Sequence, residues 1–163
     1  MVNAAMFTAM IFIMTRFIQV PVATGYVHLG DALIYICALI VAPPWAFVAA
    51  ALGGLLADVT SGWAVYAPAT VIIKILIALP FVIVRKRSNK LLSIPTALFT
   101  VLAGIVTVGG YFAADMIIDR AYAVTNIPGN IIQAVGSAIV FVILAAAFDA
   151  ADIKRKLDVK KEK

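Results

Sequence analysis

Six side chains that carry charge or paired hydrogen-bonding groups stand inside otherwise apolar sequence: Asp31, Asp58, Lys74, Asp115, Asn130 and Gln133. A charge at the centre of a membrane helix costs roughly 2.5–3.5 kcal/mol on insertion scales, so such residues point to function by default. Asn130 and Gln133 lie three apart and share a helix face. Two amides so placed can read the donors and acceptors of a polar heterocycle. Asp115 has no basic neighbour except Arg120, five residues on, which leaves its carboxylate available to a ligand. Asp58 and Lys74 fall on adjacent antiparallel runs joined by a short loop. A buried ion pair between them and a ligand role for either are both open. Asp31 follows His28-Leu29-Gly30 and suits the first turn of a helix, where a carboxylate complements the helix dipole; a structural role is expected there ahead of ligand contact.

Tyr26, Trp63, Tyr66, Tyr111 and Tyr122 gather near the same ends of the apolar runs, whereas the opposite ends have only Trp45 and Phe81 as comparable aromatics. An interfacial belt explains such rings in general. The asymmetry between the two ends singles out Trp63 and Tyr111 to stack on a flat ligand. With Asp115, Asn130 and Gln133, and with Lys74, Tyr66 and His28, they make up the candidate substrate-binding set.

The elements that must position these groups are apolar spans. Hydrophobic residues make up 64% of the 163 residues, and mean hydropathy is +1.09, so the solvent for most of this chain is lipid. A spanning helix needs roughly 20 mostly apolar residues. Six runs qualify as candidates, at about 3–19, 29–42, 45–60, 67–84, 94–119 and 128–151, the second being short. The runs are apolar on both parities, which argues against a membrane β-barrel. The fold class expected is an all-α integral membrane protein: one six-helix domain over residues 1–163, with a basic tail from about 152. Ten of the 13 Lys and Arg fall at 85–90 (RKRSNK) and from Lys154 onward. With six spans these clusters share one side with both termini, and the positive-inside rule makes that side cytoplasmic. The polar residues then converge on the external half of the bundle, and the inner half is apolar. That pattern describes a pocket facing outside and not a continuous pore. No basic stretch precedes the first apolar run, so it is expected to remain as a span and not to be removed as a leader.

Several function classes are disfavoured. The basic residues flank spans and do not interleave with aromatics, so a nucleic-acid partner is not expected; anionic lipid headgroups are. His28 and Cys37 are the only histidine and cysteine, which leaves no histidine- or thiolate-based metal site. There is no phosphate-binding Gly-rich motif. Ser61, His28 and Asp58 could be assembled as a triad only on paper, so an enzyme is not expected. No repeat relates the two halves, which disfavours an inverted-repeat secondary carrier. Small residues recur at packing spacing: Ala5 and Ala9; Ala49, Gly53 and Ala57; Ala50 and Gly54. Such rows let helix backbones approach closely.

Three strings carry a resemblance: GYVHLGD at 25–31, GGLLAD at 53–58 and YAPATVIIK at 66–74. With six short spans and Ala-xxx-Ala on the first, the chain resembles the S component of an energy-coupling factor (ECF) vitamin transporter, of the riboflavin-type branch that includes hydroxymethylpyrimidine and pyridoxine carriers. The resemblance implies a cell-membrane subunit that captures a small water-soluble vitamin, pyridoxine-like or hydroxymethylpyrimidine-like, with riboflavin as the alternative cargo. It implies docking through Ala5 and Ala9 on a T component bearing two ATPases, which use the ATP. It also implies a lid over the pocket at 20–28, whose Pro21 and Gly25 suit a mobile loop, and delivery by reorientation of the whole subunit in the membrane. The metal-binding S components carry an N-terminal Met-His motif; this chain begins Met1-Val2-Asn3, which argues against a metal cargo. Two readings from other classes stand beside this one: a self-sufficient carrier or channel, and a membrane scaffold that binds nothing.

Overall fold

The structure, a computed structural model, describes residues 1–22 and 25–159. The chain runs α1 (Val2–Arg16), β1 (Gln19–Val22), β2 (Gly25–His28), α2 (Gly30–Ile40), α3 (Pro43–Ser61), a 3₁₀ turn (Ala64–Tyr66), α4 (Ala67–Val84), α5 (Ile94–Ile118), α6 (Arg120–Thr125), α7 (Ile127–Ala150) and α8 (Ile153–Val159). Among the described residues four stretches are long and apolar enough to cross a membrane: Pro43–Ser61, Ala64–Val84, Ile94–Ile118 and Ile127–Ala150. The other two expected spans are shorter. At 15 and 11 residues, α1 and α2 reach only about 22 and 16 Å.

The short α2 is the centre of the molecule. Every one of its 11 residues is buried, and it packs against α1, α3, α4 and α7. A helix that is apolar all round has nowhere to go but the middle of a bundle. Around it the chain is stitched by small residues. Gly53 of α3 lies against Ile11 and the Thr8 carbonyl of α1, while Gly54, one residue on, lies against Thr70 and Lys74 of α4. The two small-residue rows of α3 thus serve two different neighbours, and a side chain at either glycine would drive α1 or α4 away. Ala5 and Ala9 lie instead on the exposed face of α1, opposite its buried stripe Ala4, Phe7, Ile11 and Thr15.

Three expectations need correction. The segment between the first two spans is not a loop: β1 and β2 pair antiparallel, with Gln19 opposite His28 and Pro21 opposite Tyr26, so the fold is not purely helical. The proline is tolerated because a two-stranded ribbon is all edge. The turn at 120–127 contains the helix α6. The basic tail begins as the helix α8 and is not simply an extension; its lysines at 160, 161 and 163 lie outside the described residues.

At the end of the molecule remote from the hairpin, the chain's two basic segments are held together. The Lys154 ammonium donates to the carbonyls of Arg85 and Ser88 at the end of α4. The Asp149 carboxylate of α7 accepts from the backbone N–H groups of Leu91 and Leu92, at 2.7 and 2.9 Å. These bonds satisfy backbone groups that the interhelical turn leaves without helical partners. Asp149→Ala leaves those two N–H groups unsatisfied and is expected to lower stability by about 1–3 kcal/mol, read as a lower midpoint of thermal unfolding in detergent.

Candidate functional site

The hairpin, the 3₁₀ turn and the adjoining helix ends surround a cavity of about 90 Å³. All eight residues of the candidate set line it: Lys74 and Tyr66 from α4 and the turn before it, Trp63 just ahead of that turn, Tyr111 and Asp115 from α5, Asn130 and Gln133 from α7, and His28 from β2. Thr15, Tyr26, Asp58, Thr70, Asn126 and Gly129 line it as well.

Its base is an ion pair. The Lys74 ammonium lies 2.6 Å from Asp31, and the two side chains are 1% and 0% exposed. The other Asp31 oxygen accepts from the Gln133 amide at 3.1 Å. Lys74 also lies over the Tyr111 ring, 5.5 Å from its centroid, within range of a cation–π attraction. The lysine therefore pairs with Asp31 and not with Asp58. Asp31 sits in the first turn of α2 and has a structural role, as expected, but it makes no capping bond there: its carboxylate is turned across the bundle to Lys74.

Asp115 is fully buried, and neutral donors hold both its oxygens. The Tyr66 hydroxyl donates at 2.6 Å and the Asn126 amide at 3.0 Å. Asp58 is treated differently. Its Oδ1 accepts from the Tyr26 hydroxyl at 3.2 Å, and Thr70 approaches the carboxylate, yet Oδ2 has no hydrogen-bond partner among the described residues although the side chain is 6% exposed. The Thr15 hydroxyl, 2% exposed, also lacks one.

The hairpin covers this site with two rings. Tyr26 and His28 alternate to the same face of β2, and their ring centroids are 5.9 Å apart. Burial pushes the Tyr26 hydroxyl up to about 12, against an opposing hydrogen bond with Ser61 and with the help of the Asp58 charge; it stays a donor at any physiological pH. Burial, with the Lys74 charge beside it, pushes the His28 imidazole down to about 3, and Asp31 opposes this. The geometry agrees: Gly30 N–H donates to His28 Nδ1 at 3.2 Å, so Nδ1 carries no proton and the ring is neutral. Gly30 itself has no room for a Cβ, which would collide with Thr15 Oγ1.

Below the polar groups the bundle is sealed by rings. Tyr35 stacks on Phe81 at 4.5 Å between centroids, and Phe141 and Phe99 close edge-on against Phe81 at 5.5 and 6.2 Å. Phe81 is two turns beyond Lys74, about 10 Å along α4. This layer of rings separates the cavity from the basic end of the bundle.

Sequence reasoning missed Thr15 and Asn126. Thr15 had a signal: it continues the buried stripe 4, 7, 11 of α1, so a hydroxyl occupies a core position at the pocket end. Asn126 had none, because only the α6 turn brings it back to Asp115, 11 residues earlier.

A helical membrane bundle with a polar, aromatic-rimmed cavity at one end and an apolar seal beneath it is a solute-binding membrane protein. The family model described as "ECF-type riboflavin transporter, S component" matches residues 1–150, and the chain belongs to that family of substrate-binding subunits. A solved S component of a bacterial ECF transporter has the same fold: TM-score 0.74 and 19% identity over 91% of this chain and 94% of that one. No curated protein matches the chain.

Two outcomes follow from the site. Lys74→Met strands the Asp31 carboxylate and is expected to cost about 3–5 kcal/mol, whereas Lys74→Met with Asp31→Leu recovers most of the loss; thermal unfolding of the three proteins in detergent measures it. His28 binds a proton more readily unfolded than folded. Its contribution is therefore fully present above about pH 6.5 and is lost as pH falls toward 3, by up to roughly a factor of ten in the folded-to-unfolded ratio per unit. His28→Asn should unfold with a shallower dependence on pH between 6.5 and 4 than the parent.

Proposed function

We propose that this chain is the capture subunit of an ATP-driven importer for a small water-soluble vitamin or precursor built on one heterocyclic ring, pyridoxine-like or hydroxymethylpyrimidine-like. The observation that carries the reading is the cavity: neutral amides, hydroxyls and rings converge on it, and the aromatic layer seals it from the basic end. Its size supports a one-ring ligand. A water needs roughly 10–15 Å³ by the same measure, so about 90 Å³ holds roughly six to nine water-sized groups, enough for one six-membered ring, with some opening of the walls needed for its substituents, and well short of a three-ring molecule. Asp115, Asn130 and Gln133 would hydrogen-bond the ring substituents, Trp63 or Tyr111 would stack on its face, and Lys74, Tyr66 and His28 would complete the wall. Riboflavin is the second reading, favoured by the family's description.

In this proposal the basic end lies in the cytoplasm of a prokaryotic cell, the cavity faces outside, and the hairpin acts as the lid. The chain docks on a T component with two ATPases through the face bearing Ala5 and Ala9, where small residues leave a flat surface for a partner helix. The apolar seal argues against a self-sufficient channel, and delivery then requires the whole subunit to reorient.

The test is a titration of the purified protein in detergent with B vitamins and their precursors, riboflavin included, read by tryptophan fluorescence. Tight binding of one flat heterocycle is expected, with Trp63 as the reporter: Trp63→Phe should remove most of the signal change. No binding across the panel by folded protein would overturn the reading. Ala5→Trp with Ala9→Trp is expected to abolish co-purification with the partner complex while leaving the titration unchanged.

A further inference from the structure

The proposed cavity has an unbalanced electrostatic design. Three carboxylates, Asp31, Asp58 and Asp115, meet a single ammonium, that of Lys74, and Asp31 already takes it at 2.6 Å. Neither arginine of this end, Arg16 or Arg120, lines the cavity, and His28 is neutral because its Nδ1 accepts from Gly30. Asp115 spreads its charge over two neutral donors, Tyr66 and Asn126. Asp58 has no such arrangement. Asp58 lines the cavity, Thr70 approaches its carboxylate and Oδ1 takes the Tyr26 hydroxyl, but Oδ2 has no hydrogen-bond partner among the described residues, on a side chain 6% exposed. A buried carboxylate oxygen left open beside a cavity is a place where a bound molecule can donate. Thr15 Oγ1, 2% exposed and also without a partner among the described residues, faces the same cavity.

Resting on the capture reading, we propose that the cargo is a one-ring heterocycle bearing an amino group, which donates to Asp58 Oδ2 and Thr15 Oγ1. A primary ammonium carries three donors and no acceptor. It has donors enough for both oxygens, and it brings a positive charge to a site with more carboxylates than ammonium groups. An aromatic amine supplies two donors, and protonation of its ring nitrogen supplies the charge. A hydroxyl in the same place donates once and brings no charge. Charge-assisted hydrogen bonds are the stronger kind, so the distinction should appear as selectivity between otherwise matched ligands. Tyr26, which holds the other Asp58 oxygen, belongs to the hairpin, so a donor bound at Oδ2 sits directly under the segment that covers the site.

The test compares matched pairs on the full chain in detergent at pH 7.5: pyridoxamine against pyridoxine, and 4-amino-5-hydroxymethyl-2-methylpyrimidine against its 4-hydroxy counterpart, with riboflavin as a reference. The amino member of at least one pair is expected to bind tenfold or more tightly than its partner. Asp58→Asn keeps an acceptor for Tyr26 and removes the charge; in it the preference should fall to within about twofold. If that variant does not fold, the preference of the parent protein still decides. Equal or tighter binding of the hydroxyl members, or binding of riboflavin alone, overturns this inference and leaves the capture reading standing. A preference that persists in folded Asp58→Asn overturns the role of Asp58. No binding of any of the five compounds overturns both readings together.

Discussion

An ammonium group excluded from both water and lipid dictates much of this molecule. Lys74 and Asp31 are almost fully buried 2.6 Å apart, and neither could be left there alone, because an uncompensated charge in a low-dielectric interior is among the most costly features a fold can contain. Holding the pair requires α2 and α4 at a fixed height relative to each other. Gln133 brings α7 to the same point through the second Asp31 oxygen, and Tyr111 of α5 lies over the ammonium. Gly54 of α3 supplies the space through which the lysine stem passes. Five helices are thus registered by one charge, and the cavity is the space left above it.

The division of the bundle into a polar half and an apolar half follows from the same constraint. Burying one charge pair calls for hydrogen-bonding groups around it. Confining those groups to one end lets the other end pack as an ordinary core, here a cluster of Tyr35, Phe81, Phe99 and Phe141. A layout of this kind suits a protein that holds a solute at one end of the bundle. That matches membership of a family of substrate-binding subunits.

The hairpin is the least committed part of the structure. Its strands pair only with each other, and among the described residues its hold on the bundle includes Tyr26 on Asp58 and Ser61, and His28 beside Gly30. An isolated two-stranded ribbon is marginal by itself, so this one depends on the packing of Val27 and His28, both buried, against the bundle. It is attached through Tyr26 and His28, which also line the cavity.

Local chemistry made much of this legible before any coordinates. Mean hydropathy and run length marked the long helices, since a spanning helix must satisfy its own backbone and clothe it in apolar side chains. The costs of burying Asp115, Asn130, Gln133 and Lys74 marked them as residues with a purpose, and all of them reached one cavity. Small-residue spacing on α3 announced close packing. Pairing was another matter. Asp31 and Lys74 are 43 residues apart, and Asp31 and Gln133 are 102 apart; nothing in the spacing says that α2, only 11 residues long, will be surrounded on every side and aim its carboxylate at α4 and not toward its own helix dipole. The hairpin escaped notice because strands this short have too little periodicity to register. Which residues must be buried is a property of their own free energies of transfer and can be read one at a time. Which partner each finds there depends on distances between elements remote in sequence, and only the packed tertiary structure sets those.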